Sequence, residues 1–159
     1  ANTPIELFEA RTPAICVEKA YLPDSGGPGA QRGGLGQIVR FRKRVTDGQD
    51  TLAGVFPEGR FMTYPGLAGG GAGGAVGADV AGRDLGTGEL VTLTRGEEVV
   101  SLRLAGGAGY GDPRQRGFDA IDRDLAEGYV SPEGATRDYA VVVVDGKVDR
   151  AASRKLRGG

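Results

Sequence analysis

Glycine sets the terms on which this chain can fold. Thirty of its 159 residues are glycine, against an ordinary share of about 7%. They are concentrated: Pro57 to Gly88 is a glycine field, and four more fall within Gly106–Gly111. Such a stretch buries no side chains and loses the most backbone entropy on folding, so it orders only where backbone packs closely on backbone. Gly71, Gly74 and Gly77 are spaced three apart, as are Gly66 and Gly69. Glycine at every third place suits a polyproline-II segment with one edge against another backbone. Collagen is excluded, because the period fails within a few repeats and proline is scarce. The field therefore reads as packed polyproline-II-like segments, with a flexible linker as the alternative. Pro23–Gly36 and Gly106–Pro113 have similar spacing and offer further segments to one bundle.

The flanking sequence supplies ordinary elements. Thr3-Pro4-Ile5-Glu6 has the form of a capping box, opening either a short helix stopped by Thr12-Pro13 or an extended lead-in. Ile15–Leu22 alternates as a strand, Leu35–Val45 is a second, and Thr46-Asp47-Gly48 signals a hairpin that returns Thr51–Phe56 as a third. Leu90–Thr94 and Val99–Leu104 are strands, with Val100, Leu102 and Leu104 on one face. Arg114–Glu127 puts Phe118, Ile121 and Leu125 on one helical face and Asp119, Asp122 and Asp124 on a solvated one, with Gly128 as the stop. Ser131-Pro132 opens another helix. Ala140–Val144 turns at Asp145-Gly146 into Lys147-Val148, and Asp149 caps Arg150–Leu156. The sum is an α+β fold, mostly β: antiparallel sheets or a barrel-like sandwich, the glycine-rich bundle, and a small C-terminal helical part. Residues 1–112 read as the β-rich, glycine-rich domain and 113–159 as a helical appendix with a short hairpin.

Composition removes several chemistries. The chain has no histidine and one cysteine, Cys16. The commonest general base and metal ligand is therefore missing, as is any zinc site built from Cys and His. An all-carboxylate magnesium or calcium site is left open but unmotivated. Cys16 alone forms no internal disulfide, suits a reducing compartment, and alternates into a buried strand position. A net charge of −1 gives no global field for nucleic acid or membrane. No apolar run reaches about 18 residues, and no signal peptide is visible. Ala1 in first place fits removal of an initiator methionine and equally a proteolytic fragment.

Each motif has a plainer reading beside its functional one. Gly69-Gly70-Gly71-Ala72-Gly73-Gly74 matches a dinucleotide fingerprint by spacing, but neither strand nor helix flanks it, and chance explains it in so glycine-rich a chain. No Walker A pattern occurs. Arg40, Arg42 and Arg44 share one face of a strand and read as a solvated or partner-facing edge rather than a nucleic-acid site. Ser25 beside Asp24 lacks a base to make it a nucleophile, and turn capping is the commoner role of such a pair. Tyr110, Asp112 and Arg114 form the best polar cluster. They read as a structural lock between sheet and helices, with a contribution to a shared active site as the sharper alternative.

Four segments carry a resemblance. Gly106-Gly107-Ala108-Gly109-Tyr110-Gly111-Asp112-Pro113 with Arg114 and Arg116 resembles the C-terminal part of the hydantoinase B/5-oxoprolinase family. That family includes subunits of acetone and acetophenone carboxylases. Asn2-Thr3-Pro4-Ile5-Glu6 is similar to its Asn-Thr-Pro-x-Glu. Pro23–Gly29 with Arg32–Gly36 is similar to its Pro-Asp-Ser-Gly-Gly-x-Gly and Arg-Gly-Gly-Leu-Gly. Asp124 and Gly128–Ser131, with Ala135 and Tyr139, are similar to its tail. The resemblance implies a large complex in which an actin-like subunit uses ATP to phosphorylate a carbonyl, amide or lactam oxygen, and the B-type subunit completes hydrolysis or carboxylation. Full B-type chains are several times longer, and their catalytic and metal-binding residues lie upstream of the part matched here. The expectation is therefore no catalytic, cofactor-binding or metal-binding residue in this chain. Tyr110, Asp112, Arg114, Asp24 and Ser25 are structural or shared-site residues. ATP and a divalent metal are expected on partner subunits: a hydantoinase A-like ATP-binding subunit and a larger hydantoinase B-like subunit. The implied role is a small structural subunit or C-terminal fragment, cytoplasmic and inactive alone.

Overall fold

The computed structural model describes residues 4–45, 48–56, 63–94 and 96–158. The described chain is α+β, mostly strand, with antiparallel sheets that do not close into a barrel. Two compact units are interleaved along it. One draws on Ala1–Ala20, Gln37–Phe61 and Val76–Leu104, the other on Tyr21–Gly36, Met62–Ala75 and Ala105–Gly159. The glycine-rich stretches within Tyr21–Gly36, Met62–Ala75 and Ala105–Gly159 fall in the second unit with the helices, while Gly77, Gly82, Gly86 and Gly88 of the glycine field fall in the first.

The first unit begins with a short helix, α1 (Ile5–Arg11). The start-of-chain ambiguity thus resolves as helix, although Thr3 of the expected capping box lies outside the described residues. Strands β1 (Ala14–Tyr21), β2 (Gln37–Lys43), β3 (Thr51–Val55), β4 (Gly77–Val80), β5 (Arg83–Asp84), β6 (Glu89–Leu93) and β7 (Val99–Arg103) follow. A five-stranded sheet runs in the order β1-β2-β7-β4-β5, and β3 pairs with β6 apart from it. The sequence reading brought β3 back onto β2. Instead β7 takes β2's free edge, with Phe41 opposite Val100 and Val39 opposite Leu102, and the expected turn residues Thr46 and Asp47 lie outside the described residues. On its other edge β7 sets Leu102 against Ala78 and Val100 against Val80. Cross-strand pairs of this kind place one apolar face inward. Ala78, Val80, Leu85, Leu93 and Val100 form the core, with Ala53, Val91 and Leu102 packed on it. Phe8 of α1 meets Phe41 with ring centroids 4.7 Å apart. Arg40 pairs with Glu18, and Arg44 donates to the Glu9 carbonyl at 3.0 Å, so two of the three basic side chains are tied within this unit.

In the second unit three glycine-rich segments bond to one another without forming a regular sheet. Gly27 N–H donates to the Gly107 carbonyl at 2.8 Å, Gly71 to Pro28 at 2.7 Å, Gly74 to Ser25 at 2.7 Å, Gly106 to Gly74 at 3.0 Å and Gly109 to Gly71 at 2.9 Å. The donors Gly71 and Gly74, and Gly106 and Gly109, are three apart, the period read from the sequence. A Cβ at Gly70 would overlap the Gly109 carbonyl, at Gly73 that of Gly106, at Gly106 that of Ser25, and at Gly109 that of Pro28. Glycine is required here because backbone occupies the place of the side chain. Gly77 does not continue the series; it belongs to β4.

The helical part of this unit is α2 (Phe118–Ala126), α3 (Pro132–Tyr139), a hairpin of β8 (Val142–Val144) and β9 (Lys147–Asp149), and α4 (Arg150–Leu156). The expected helix over 114–127 is split. Asp112 accepts from Arg114 N–H and opens a single 3-10 turn, Pro113–Gln115. Gly117 then forms the N-cap of α2. Gly128 (φ +68°) ends α2, Ser131 caps α3 and Asp149 caps α4, as the sequence indicated. Ile121, Val130, Ala135, Tyr139, Val141 and Val148 form a second core, with Phe118, Leu125 and Val143 against it.

The bundle makes a sharp prediction. Gly109→Ala forces a methyl into backbone and is expected to destabilise the second unit by about 3 kcal/mol. Gly34→Ala, with nothing within 4 Å of its Cβ position, is expected to leave stability within about 0.5 kcal/mol. Urea unfolding followed by circular dichroism compares the two.

Candidate functional site

The five residues read as structural or shared-site residues, Asp24, Ser25, Tyr110, Asp112 and Arg114, all fall in the second unit, in two groups. Asp24 has left-handed backbone (φ +59°). Its N–H donates to the Tyr129 carbonyl at 3.0 Å, and its Oδ1 accepts from Ser131 N–H at 2.8 Å. Ser131 is the N-cap of α3, so the Asp24 carboxylate sits where free amides and the positive end of the helix dipole favour an anion. Ser25 is buried. Its Oγ donates to the Leu22 carbonyl at 2.5 Å and accepts from Gly36 N–H at 2.8 Å. Both lone-pair and proton roles are used by backbone, which leaves the hydroxyl no freedom to attack a substrate.

Tyr110, Asp112 and Arg114 lie at one end of the glycine bundle. The Tyr110 backbone exchanges two 2.9 Å bonds with Gln31, and Gly111 N–H donates to the Leu67 carbonyl at 2.9 Å. Its ring is 58% exposed, a large aromatic held out on a tightly bonded backbone. Asp112 is exposed and spends Oδ1 on the Arg114 amide at 2.9 Å; the bond runs to backbone rather than to the guanidinium. Asp112 also acts by charge on Arg157, whose pKa burial lowers and Asp112 raises. The cluster is thus one exposed ring beside a capping carboxylate and an exposed Arg114, with no nucleophile and base set against each other. Among the described residues no group of three or more His, Cys, Asp or Glu is placed to hold a metal ion.

The strongest electrostatic feature of the unit was missed in the sequence, where Asp124 was assigned to a solvated face. Asp124 is buried. Arg32 reaches it through Nε and Nη2 at 3.2 and 3.3 Å, and Arg116 through Nε and Nη2 at 3.2 and 2.8 Å. Their remaining Nη1 groups donate to the Gly33 and Ala30 carbonyls at 2.7 and 3.2 Å. Arg32 also lies over the Tyr129 ring and Arg116 over that of Tyr139, at 5.5 and 5.9 Å from the centroids. One carboxylate on α2 therefore fastens a glycine-rich loop and the segment before the helix. The detectable signal was position: Asp124 follows Ile121 by three residues and borders the apolar stripe. Of its two neighbours, Asp122 accepts from Val148 N–H at 2.8 Å, and only Asp119 is left on the exposed face, paired with Arg150.

Comparison with known proteins follows the same lines. The family model for hydantoinase B/oxoprolinase matches residues 1–113. The chain is 33% identical, over 99% of its length, to an uncharacterised protein of Methanocaldococcus jannaschii, of which it covers 28%. It is 33% identical over 96% of its length to the caprolactamase subunit beta of Pseudomonas jessenii, of which it covers 27%. The crystal structure of the ATP-dependent caprolactamase from that organism superposes with a TM-score of 0.78 at 29% identity, over 98% of this chain and 28% of that one. Nucleotide-free acetone carboxylase shares the fold, with a TM-score of 0.70 at 20% identity, over 98% of this chain and 26% of that one. The chain spans little more than a quarter of the curated relatives it matches.

Two outcomes test the lock. Asp124→Asn leaves two buried guanidiniums without a counter-charge and is expected to cost about 3–5 kcal/mol in denaturant unfolding. Tyr139 supplies the second. Burial pushes its pKa up to about 12, against opposing attraction from Arg116. The folded state therefore keeps a proton that the unfolded state loses above about pH 10. This contribution to stability is full below pH 10 and declines as pH rises toward 12. Absorbance titration of the folded protein is expected to show Tyr139 ionising near pH 12, about two units above the ordinary tyrosine value of about 10.

Proposed function

The chain belongs to the hydantoinase B/oxoprolinase family, and we propose that it is the C-terminal structural part of a B-type component in an ATP-dependent complex. The observation that carries this reading is how the family-like motif residues are used. Asp24 and Ser25 hold turns and a helix end. Asp112 caps a turn, and Arg32 and Arg116 are spent on Asp124. These groups are committed to holding backbone, which suits a scaffold completed by other polypeptide.

In that role its partners are a hydantoinase A-like ATP-binding subunit and the larger B-type part, with ATP and a divalent metal bound by them. The ATP-binding partner phosphorylates a carbonyl, amide or lactam oxygen, and the B-type component completes the reaction in the cytoplasm. Of the two reaction classes, cyclic amide hydrolysis draws support from the 33% identity to a caprolactamase subunit. Carboxylation, as in acetone or acetophenone carboxylases, rests on the likeness of fold to acetone carboxylase. A second role is favoured by one observation, the exposed Tyr110 ring on its bonded backbone: the chain contributes Tyr110 and Asp112 to a site built with a partner. A free-standing binding domain is the least supported reading.

The purified chain alone is expected to turn over neither ATP nor a lactam; measured turnover would remove the scaffold reading. Native mass spectrometry of the chain from its own cells is expected to find it with larger subunits, an ATP-binding one among them. A lone folded monomer would end the subunit proposal. Tyr110→Phe and Asp112→Asn in the assembled complex separate the two roles. Turnover held within about twofold supports the scaffold, whereas a fall of about 100-fold or more with assembly intact supports the shared site.

A further inference from the structure

The first unit leaves one side of its apolar interior open. A cleft of about 620 Å³ lies among α1, β2, β3 and β7, lined chiefly by Phe8, Phe41, Leu52, Phe56, Val100 and Leu102. Leu52 and Phe56 are 63% and 66% exposed. A smaller hollow shares Phe8, Phe41, Leu102 and Leu104 with it and adds Ile5, Val39 and Lys19. Among the described residues of this unit, large apolar side chains left exposed outnumber those buried. A contiguous apolar surface of this kind marks an interaction site. A small-molecule pocket needs a few free polar groups to orient its ligand. On the larger cleft the one charged lining residue, Arg103, is held by Asp79 at 2.8 Å.

We infer that this cleft seats the larger part of the B-type component, through an apolar strand edge or helix face of that part. The inference rests on the scaffold role proposed above and names its docking surface. One observation selects this occupant. The chain covers 28% of the caprolactamase chain whose fold it shares, so most of such a component lies outside the stretch matched here.

The test uses tagged chain recovered from its own cells, with Leu52→Asp and Phe56→Asp introduced separately. Both side chains already face solvent, so the isolated variants are expected to keep the wild-type circular dichroism spectrum. Each is expected to lower the yield of the larger B-type part, identified by its peptides, about tenfold or more. Hydroxyl-radical footprinting of the wild-type assembly supplies an arm that needs no variant. Leu52, Phe56 and Leu104 are expected to be oxidised in the isolated chain and protected about tenfold in the assembly. The docking surface is overturned if the variants retain the B-type part undiminished and the footprint is unchanged. It is equally overturned if the protection comes from a second copy of this chain. A wild-type assembly that carries no B-type part removes the scaffold role itself, and the docking surface with it.

Discussion

The structure depends on carbonyl groups standing where side chains would be. At Gly70, Gly73, Gly106 and Gly109 the space beyond Cα is filled by a neighbouring segment's backbone, and the same segments exchange amide hydrogen bonds. A hydrogen bond of this sort adds only about 0.5–1.5 kcal/mol net, while a buried amide left without one costs about 1–3 kcal/mol. The pairing therefore specifies the bundle: an arrangement that kept these amides buried but unpaired would cost more than each bond adds. Ordering glycine is entropically the most unfavourable case, and the pattern answers it with dense pairing rather than hydrophobic burial.

Side chains secure the margins of this bundle. Asp124 ties Arg32 and Arg116 to α2, Asp24 ties its loop to α3, and Ser25 ties Leu22 to Gly36. The first two join a glycine-rich segment to helices that carry the second apolar core, and the third closes the glycine-rich loop on itself. A buried ion pair offers little net stability over an apolar replacement but fixes geometry, since removing either partner strands the other. That suits segments which, lacking side chains, have no packing of their own to set their register.

Much of this was legible in the sequence, and the failures have physical causes. Local signals carried: Ser131-Pro132, Asp149, Gly128 and Asp145-Gly146 are caps and turns whose chemistry acts within four residues. The third-residue glycine period carried as well, because steric exclusion leaves a mark in composition. The pairing of β3 with β6 did not, since alternation specifies a strand's faces but not its neighbour across an edge. Asp124 did not, because a carboxylate bordering a helix's apolar stripe looks solvated until Arg116, eight residues before it, and Arg32, 92 residues before it, converge on it. Among the candidate residues, Ser25, read as a turn residue, bonds the Leu22 carbonyl and the Gly36 amide. Asp112, read in one cluster with Arg114, bonds the amide of that residue.

The layout of the bundle bears on how the chain comes into being. Its segments are drawn from Tyr21–Gly36, Met62–Ala75 and Ala105–Gly159, with the strands of the other unit encoded between them. During synthesis the first segment leaves the ribosome with nothing to bond to, and the bond from Gly27 N–H to the Gly107 carbonyl waits until about eighty further residues have been made. Contacts this distant in sequence are slow to form. The glycine-rich stretches therefore emerge early as exposed, unpaired polypeptide, and closure comes late, when α2 delivers the carboxylate that both arginines await.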